Sequence, residues 1–244
     1  MQRILYTTIA ALLLAACSNP QQPAGTATET APTTITDLHR DGLNGPVKTY
    51  IHSEYNAIQQ NGQWVQGDTL LNQTIYSYDT TGTLLRAADI VRNSQQAGSS
   101  RQYKHAPGQP VAITGYEQTQ PVSRGIRTWA GDRSYTEKTF RNFDKNDTTN
   151  WNVLQQVTLN SHHLIEKNIT TIRAGADTGY TTTAYTYYTT DNRVSKKVLY
   201  NGADSITITY TTLEKDDKGN PTKTLKQYPQ HNEAILAVDS YEYY

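Results

Sequence analysis

The stretch YSYDTTGTLL, residues 76–85, contains the two features that decide the fold. Tyr76 and Tyr78 alternate with a serine, which is the period of a β-strand that carries aromatic side chains on one face. Asp79 and Gly82 then mark a turn, because an aspartate can accept hydrogen bonds from turn amides and a glycine adopts a positive φ without strain. The stretch therefore predicts two antiparallel strands joined by a tight turn.

The same two-residue alternation recurs along the chain from residue 35 onwards. Apolar and polar side chains alternate over residues 47–52, 153–159, 165–171 and 205–210, which favours half-buried strands. Helical spacing is confined to a short piece around residues 36–41. Strands without intervening long helices predict an all-β domain.

Turn signals separate these strands at regular intervals. The sites are Asn61-Gly62, Thr81-Gly82, Pro107-Gly108, Ala130-Gly131-Asp132, Asn201-Gly202 and Lys218-Gly219-Asn220-Pro221. Turns near residues 82, 108, 163, 191 and 219 indicate a repeat of about 27 or 28 residues, which is roughly two strands and two turns. The copy expected near residue 136 is not visible in the sequence.

The pattern Tyr-x-Tyr-Asp-x-x-Gly-x-Leu at residues 76–84 resembles a YD (RHS-type) repeat hairpin. Residues 41–48 and 241–243 also resemble the beginning and end of small Gram-negative lipoproteins that contain such hairpins. That group is mostly without assigned activity. The resemblance covers most of residues 38–244 and implies a meandering antiparallel sheet without a catalytic site.

Composition agrees with a β fold and limits the packing. The 244 residues include 37 threonines and 18 tyrosines but only 2 phenylalanines, and β-branched and aromatic side chains favour strands. Long aliphatic clusters are few, so a dense closed core is hard to supply. We expect one domain over residues 35–244, an all-β antiparallel meander that forms a strongly twisted curved sheet or an open barrel with little helix.

The charge balance argues against one class of partner. Lysine and arginine total 22, and aspartate and glutamate also total 22, so the formal net charge is zero. A surface dominated by positive charge, as nucleic-acid binding requires, is therefore not expected.

The N-terminal residues 1–16 are typical of a secretory signal, with Arg3 followed by an apolar stretch too short to span a bilayer. The following cysteine completes Leu-Ala-Ala-Cys at residues 14–17, which resembles the lipobox of bacterial lipoproteins. The resemblance implies that Cys17 is acylated, palmitate being one such chain, and becomes the N-terminus of the mature protein. Cys17 is also the only cysteine, so an intramolecular disulfide is excluded.

Residues 17–34 are rich in threonine, alanine and proline and contain no large apolar side chain. Such a segment cannot bury enough surface to fold, so it is expected to be a flexible tether. Ser18 after the cysteine is compatible with the outer membrane, and no acidic run follows it. We therefore expect a lipid anchor in the periplasmic leaflet of the outer membrane.

Catalytic and metal-binding motifs are not apparent in the sequence. The six histidines lack a chelating spacing, and we expect them at the surface or in turns. Residues 144–155 depart from a calcium-binding loop because Thr149 stands where the loop requires glycine and Gln155 where it requires glutamate. Nucleophile elbows and phosphate-binding loops are also absent, and no cofactor is predicted.

A possible modification signal recurs four times. Some Gram-negative bacteria O-glycosylate exported proteins at aspartate followed by serine or threonine and then a small apolar residue or threonine. The matching acceptors are Thr69, Thr80, Thr148 and Ser205. The alternative is that these pairs only favour turns.

Three functions stay open at this point. The first is a non-catalytic binding or structural module for an envelope protein or glycan, with tyrosines and Trp64, Trp129 and Trp151 as contact surface. The second is a periplasmic carrier or chaperone for lipids or lipoproteins, which would need a deep apolar concavity. The third is an enzyme acting on envelope glycans, which would need two carboxylates facing each other in a cleft. The lack of a catalytic motif favours the first.

Overall fold

Fourteen strands and one short helix make up the residues that the structure describes. The structure is a computed structural model, and it describes residues 36–90, 97–141, 151–173 and 179–244. The elements are α1 (Asp37–Arg40), β1 (Val47–Gln60), β2 (Gln63–Tyr78), β3 (Leu84–Ile90), β4 (Ala97–Lys104), β5 (Val111–Glu117), β6 (Gln120–Trp129), β7 (Ser134–Phe140), β8 (Val153–Leu159), β9 (Ile165–Ile172), β10 (Thr181–Tyr188), β11 (Val194–Asn201), β12 (Asp204–Lys215), β13 (Pro221–Tyr228) and β14 (Glu233–Tyr243).

Each strand pairs antiparallel with the strand that follows it in the chain, and the last strand pairs with the first. The partners of β1 and β14 extend from Val47 opposite Tyr243 to Asn56 opposite Ile235. The predicted all-β antiparallel meander is therefore confirmed, and the one helix, α1, lies within the predicted residues 36–41. The two ends of the meander meet, so the barrel is closed.

Closure depends on hydrogen bonds between edges and on large inward side chains, not on a dense aliphatic core. An open sheet would leave a row of unpaired N–H and C=O groups on β1 and on β14, and their pairing removes both edges. Part of the interior is occupied by tyrosines, of which Tyr78 is 2% exposed. Sequence counting of aliphatic residues missed this contribution, because tyrosine supplies volume without counting as an aliphatic residue.

The alternation predicted for β1 is present in the barrel wall. Tyr50 and His52 line the interior, and Thr49 and Ile51, which alternate with them, face outward. A β-bulge between Val47 and Thr49 interrupts the alternation. Val47 is consequently fully buried and packs in one cluster with Leu38, instead of sharing the outward face of Thr49.

Four of the connecting turns share one hydrogen-bond pattern. In each of them the side-chain oxygen of the first residue accepts a hydrogen bond from the backbone N–H of the fifth, and the fourth residue has a positive φ. These turns are residues 79–83, 160–164, 189–193 and 216–220. The predicted roles of Asp79 and Gly82 are confirmed, with Asp79 Oδ1 at 2.8 Å and 3.0 Å from the amides of Thr81 and Thr83.

The repeat places all four turns at the same end of the barrel, because one period contains two strands. The turn at residues 130–134 takes the place of the repeat copy that is expected near residue 136. In it, the Ala130 amide donates to the Ser134 carbonyl at 2.9 Å.

Residues 36–46, named the plug below, lie across this end of the barrel and include α1. Thr36 caps the helix, since its hydroxyl accepts from the His39 amide at 3.2 Å. Each of the four turns then contributes a hydrogen bond to the plug. These bonds are Leu38 N to Gly82 O (3.0 Å), His39 Nε2 to His162 O (2.8 Å), Arg193 Nη1 to Gly42 O (2.8 Å) and Asn44 N to Asn220 Oδ1 (2.7 Å).

A second apolar cluster lies on the outer side of the wall. Leu225 and Leu236 are opposite each other on β13 and β14, and their chain neighbours Thr224 and Ala237 line the interior. The far part of the β1–β2 hairpin covers them through Ala57 and Trp64, and Leu236 is fully buried as a result. Trp64, expected to supply contact surface, packs here within the protein.

Gly82 lies where the turn at residues 79–83 contacts the plug, so substitutions at this position test the contact. A Cβ at Gly82 (φ +82°) would lie 3.0 Å from Leu38 Cδ1 and 3.2 Å from Thr36 Cβ, while a Cβ at Gly62 (φ +77°) would meet no atom within 4 Å. Both alanine substitutions carry the cost of a positive φ, about 1–2 kcal/mol. We expect Gly82→Ala to lower the free energy of unfolding by about 1–3 kcal/mol more than Gly62→Ala, because only Gly82→Ala crowds the plug.

Urea unfolding of the two variants measures this difference directly. Equal losses of stability in Gly82→Ala and Gly62→Ala would contradict the contact between this turn and the plug.

Candidate functional site

Two cavities lie inside the barrel beneath the plug. The larger has a volume of about 450 Å³ and the smaller about 200 Å³. Both are bounded by the same plug residues, Arg40 and Asp41, and by Tyr50, Tyr188 and Val194 of the wall. Concave pockets with converging polar groups are the usual form of a small-molecule site.

Tyrosines form much of the wall of the larger cavity. Tyr50 stands in register with a tyrosine on each neighbouring strand, because it pairs with Tyr76 on β2 and with Tyr241 on β14, which borders the smaller cavity. The Tyr50 ring is stacked between the other two, with centroids 5.3 Å and 5.1 Å away. Burial and the charge of Asp41 raise the pKa of Tyr76 to about 12, so the ring stays neutral at ordinary pH.

Buried ion pairs join the plug to the wall. Asp37 of α1 accepts from Arg127 Nη1 of β6 at 3.1 Å and from Arg40 Nη1 at 2.5 Å. Arg127 also binds Glu137 of β7, with Nε and Nη2 each 3.0 Å from Oε2. All four side chains are less than a tenth exposed, so each charge has an opposite charge to offset its desolvation.

A second polar cluster lies on the wall of the smaller cavity. His52 Nδ1 is 2.6 Å from Asp239 Oδ1, and His52 Nε2 is 3.3 Å from Glu54 Oε1. Lys226 Nζ forms a short ion pair with the same Glu54 oxygen and lies 3.1 Å from His52 Nε2. The hydroxyl of Tyr50 completes the group, donating to Asp239 Oδ1 at 3.2 Å.

The electrostatics of this cluster favour its charged forms. Burial lowers the pKa of His52, but its hydrogen bonds with Asp239 and Glu54 outweigh burial and raise the pKa above its ordinary value. The hydrogen bond with His52 is the largest influence on Glu54, and together with Lys226 it overcomes partial burial and lowers the pKa of Glu54 to about 2. The carboxylates of this wall therefore serve as fixed hydrogen-bond acceptors.

Sequence reasoning missed these interior residues. His52 was expected at the surface or in a turn, and instead it lies inside the barrel among carboxylates. The available signal was the alternation that places Tyr50 and His52 on one face of β1, the face that the alternation also assigned to Lys48, which is exposed and pairs with Glu242. A face with aromatic and charged side chains looks solvated when only an aliphatic core is expected, yet it is the inward face of a hollow barrel.

The predicted modification sites divide between described and undescribed parts of the chain. Cys17 and Thr148 lie outside the described residues, as do residues 1–34 and most of the calcium-like stretch. Thr80 is exposed in the turn at residues 79–83, Ser205 is exposed on β12, and Thr69 is half-buried on β2. Glycosylation at these positions stays a prediction.

The other two tryptophans contact neighbouring side chains. Trp129 packs against Tyr135, with ring centroids 4.9 Å apart, and is 37% exposed. Trp151 lies beneath the guanidinium of Arg173, 3.8 Å from its ring centroid. Within the described ranges no group of three histidine, cysteine, aspartate or glutamate residues is arranged to hold a metal ion. No helix in the described part of the chain is long and apolar enough to cross a membrane.

Comparison with known proteins finds no matching family model and no matching curated protein. Solved structures with a related shape include a porin-like protein from Bacteroides vulgatus (TM-score 0.44, 11% identity, 78% of this chain and 97% of that chain). A porin-like protein from Bacteroides uniformis gives a TM-score of 0.39 and 10% identity over 82% of this chain and 98% of that one. A DUF1329 family protein from Desulfovibrio piger gives 0.25 and 9% identity over 80% and 84%.

The cluster around Glu54 predicts a pH-dependent stability. Because the pKa of Glu54 is lowered from 4.5 to about 2, its stabilising effect is present above pH 4.5 and is lost as the pH falls towards about 2. The raised pKa of His52 acts in the opposite range, with stability present below pH 6.5 and lost as the pH rises through its folded-state value.

We expect Glu54→Gln to lower the free energy of unfolding at pH 7 by roughly 1–2 kcal/mol, allowing for solvent screening, and to flatten its decline between pH 4.5 and 3. Glu242→Gln is the matched control, since Glu242 pairs with Lys48 at the exposed surface. Urea unfolding at pH 7, 4.5 and 3 measures both variants. An unchanged pH profile in Glu54→Gln would disprove the assignment.

Proposed function

We propose that this chain is a lipid-anchored protein of the outer membrane that binds a small polar ligand inside its barrel and does not catalyse a reaction. The observation that carries the proposal is the larger cavity of about 450 Å³, which is bounded by the plug and by tyrosines. Tyrosines combine a flat apolar face with a hydroxyl, and such walls suit ring-shaped ligands that carry polar groups.

The pairing of the interior carboxylates supports a binding role. A general acid or base needs a proton that it can exchange with a substrate, and its pKa is usually tuned towards the working pH. Asp37 and Glu137 instead form ion pairs with Arg127. Glu54 forms an ion pair with Lys226, and the pKa of Glu54 is lowered to about 2. These carboxylates are placed to stabilise the wall.

The mixed lining favours a polar ligand over a lipid chain. A carrier for acyl chains needs a continuous apolar concavity, whereas both cavities are bordered by charged side chains such as Arg40 and Asp41. The outer wall carries Lys138, Lys167 and Lys196 within strands, alternating with the inward positions. A water-facing outer wall is consistent with attachment to the membrane through acyl chains on Cys17.

The N-terminal sequence supports the location. Leu-Ala-Ala-Cys at residues 14–17 fits acylation of Cys17, and Ser18 with no acidic run after it fits retention in the periplasmic leaflet of the outer membrane.

The anchor is tested by metabolic labelling with palmitate in a Gram-negative host. We expect the wild-type chain and Ser18→Ala to incorporate the label, and Cys17→Ala to incorporate none and to leave the membrane fraction. Acyl chains supply about 0.8 kcal/mol per buried CH₂, so their loss removes the attachment. Label in Cys17→Ala would rule out acylation at this residue.

The binding role is tested by filling the larger cavity. Ala184 lines the cavity on β10, and its neighbour Thr183 faces outward. Protein purified from its native envelope should release a small molecule on denaturation, detected by mass spectrometry at about one per chain. We expect Ala184→Phe to retain less than about a tenth of it and Thr183→Phe to retain all of it. Empty wild-type protein, or equal release from Ala184→Phe, would refute the binding role.

A further inference from the structure

Lys197 is the unusual charge of the larger cavity. It points inward from β11, opposite Thr186 on β10 and Ile208 on β12, and lines the cavity with both aromatic and apolar neighbours. Among the residues that the structure describes, its ammonium has no hydrogen-bond or ion-pair partner. The ammonium lies over the ring of Tyr210, with Nζ 5.7 Å from the ring centroid.

Three other interior cations close to the cavities are paired with carboxylates, while Arg193 of the smaller cavity donates to the carbonyls of Gly42 and Gly219. Arg40 and Arg127 bind the carboxylates of the plug and the wall, and Lys226 binds Glu54. Two charged groups act on Lys197 from more distant strands, Lys226 of β13 and Glu54 of β1. The positive charge of Lys226 opposes its protonation and Glu54 supports it, while burial is the largest influence and lowers the pKa of Lys197.

An enclosed ammonium without an anion is costly, because desolvation is not offset by an opposite charge. An uncharged side chain at this position would make the barrel more stable. The lysine therefore suggests that its charge serves a function. A lysine ammonium is a compact point charge that binds oxyanions such as carboxylates. Its position in the wall of a cavity large enough for a small molecule points to an anionic group of the ligand as the partner.

A second polar group of the same cavity lacks a partner. Asn168 on β9 lines the cavity, and its Oδ1 is buried without a hydrogen bond from the described residues. Asn168 lies opposite Ala184 of β10, and Lys197 lies opposite Thr186, the next inward residue of the same strand. The Cα atoms of Asn168 and Lys197 are therefore roughly 12 Å apart. A buried carbonyl oxygen without a donor is rare in folded proteins, and after rotation of the amide it would accept from a ligand hydroxyl.

The tyrosines supply the remaining recognition. Tyr76, Tyr78, Tyr103 and Tyr188 border the cavity, and the hydroxyls of Tyr78 and Tyr188 donate within the protein, to Asp41 and to the Ile165 carbonyl. A six-membered ring, aromatic or sugar, is the shape that stacks on the faces of such rings.

We propose that the larger cavity binds a small ring-bearing carboxylic acid that also carries a hydroxyl group, with its carboxylate paired to Lys197 and its hydroxyl donating to Asn168. The proposal rests on the binding role proposed above and adds the chemical class of the ligand. Two kinds of molecule share this chemistry, acidic sugars and phenolic acids.

The test uses the full chain carrying Cys17→Ala and four probes in two matched pairs. D-glucuronate and D-glucuronamide represent the sugars, and 4-hydroxybenzoate and 4-hydroxybenzamide represent the phenolic acids. Within each pair only the charge differs. We expect at least one acid to bind about tenfold more tightly than its amide by isothermal titration calorimetry, because only the acid pairs with the ammonium. The acid that binds more tightly identifies the source.

Lys197→Met and Lys196→Met form the matched variants. Lys196 is the preceding residue and lies on the outer face, above the Tyr187 ring. Lys197→Met should weaken the acid about tenfold and change the amide less than about threefold, whereas Lys196→Met should change neither. Lys197→Gln and a circular dichroism spectrum of each variant establish that the barrel is intact.

The outcomes separate the two proposals. Acid and amide binding equally, or an acid that binds Lys197→Met as tightly as the wild type, would overturn the role of Lys197 and leave the binding role standing. No binding of any of the four probes, together with no small molecule released from the native protein, would overturn both.

Discussion

The hydrogen bonds from one side chain to the amides of its own turn are the constraint on which the rest of the barrel depends. Asp79, Asn160, Thr189 and Asp216 each organise a five-residue turn in this way. Since the repeat contains two strands, the turns gather at one end and form a ring of backbone and side-chain groups that bind the plug. A repeat whose first effect is local thus also assembles a surface contributed by distant parts of the chain.

The interior of the barrel is polar and only partly filled, which links the fold to the proposed ligand binding. Buried pairs such as Asp37 with Arg127 hold the plug in place, and stacked tyrosines occupy volume that aliphatic side chains would otherwise fill. Stacking and ion pairing fix side chains in one arrangement but leave space between them. The cavities are the result, and in the larger one the ammonium of Lys197 has no carboxylate partner among the described residues.

Local features could be predicted from the sequence because they depend on neighbouring residues. The hairpin at residues 76–85 and the helix within residues 36–41 follow from alternation, turn chemistry and capping. Closure of the barrel, the position of the plug and the interior place of His52 could not be predicted. Each depends on contacts between residues far apart in the chain, such as His52 with Asp239, and alternation shows that two faces exist without showing which one is enclosed.

The pairing of β1 with β14 has a consequence for how the protein reaches its final form. The strand β1 can complete its pairing only when β14 is available, because Val47 lies opposite Tyr243, almost 200 residues further along the chain. A chain synthesised or exported from its N-terminus can form successive hairpins as they emerge, but the ring is completed only when β14 has emerged. Loss of the final strand would leave two open edges and take away one wall of the plug's seat, so a chain cut short at this end is exposed to aggregation through its unpaired strands.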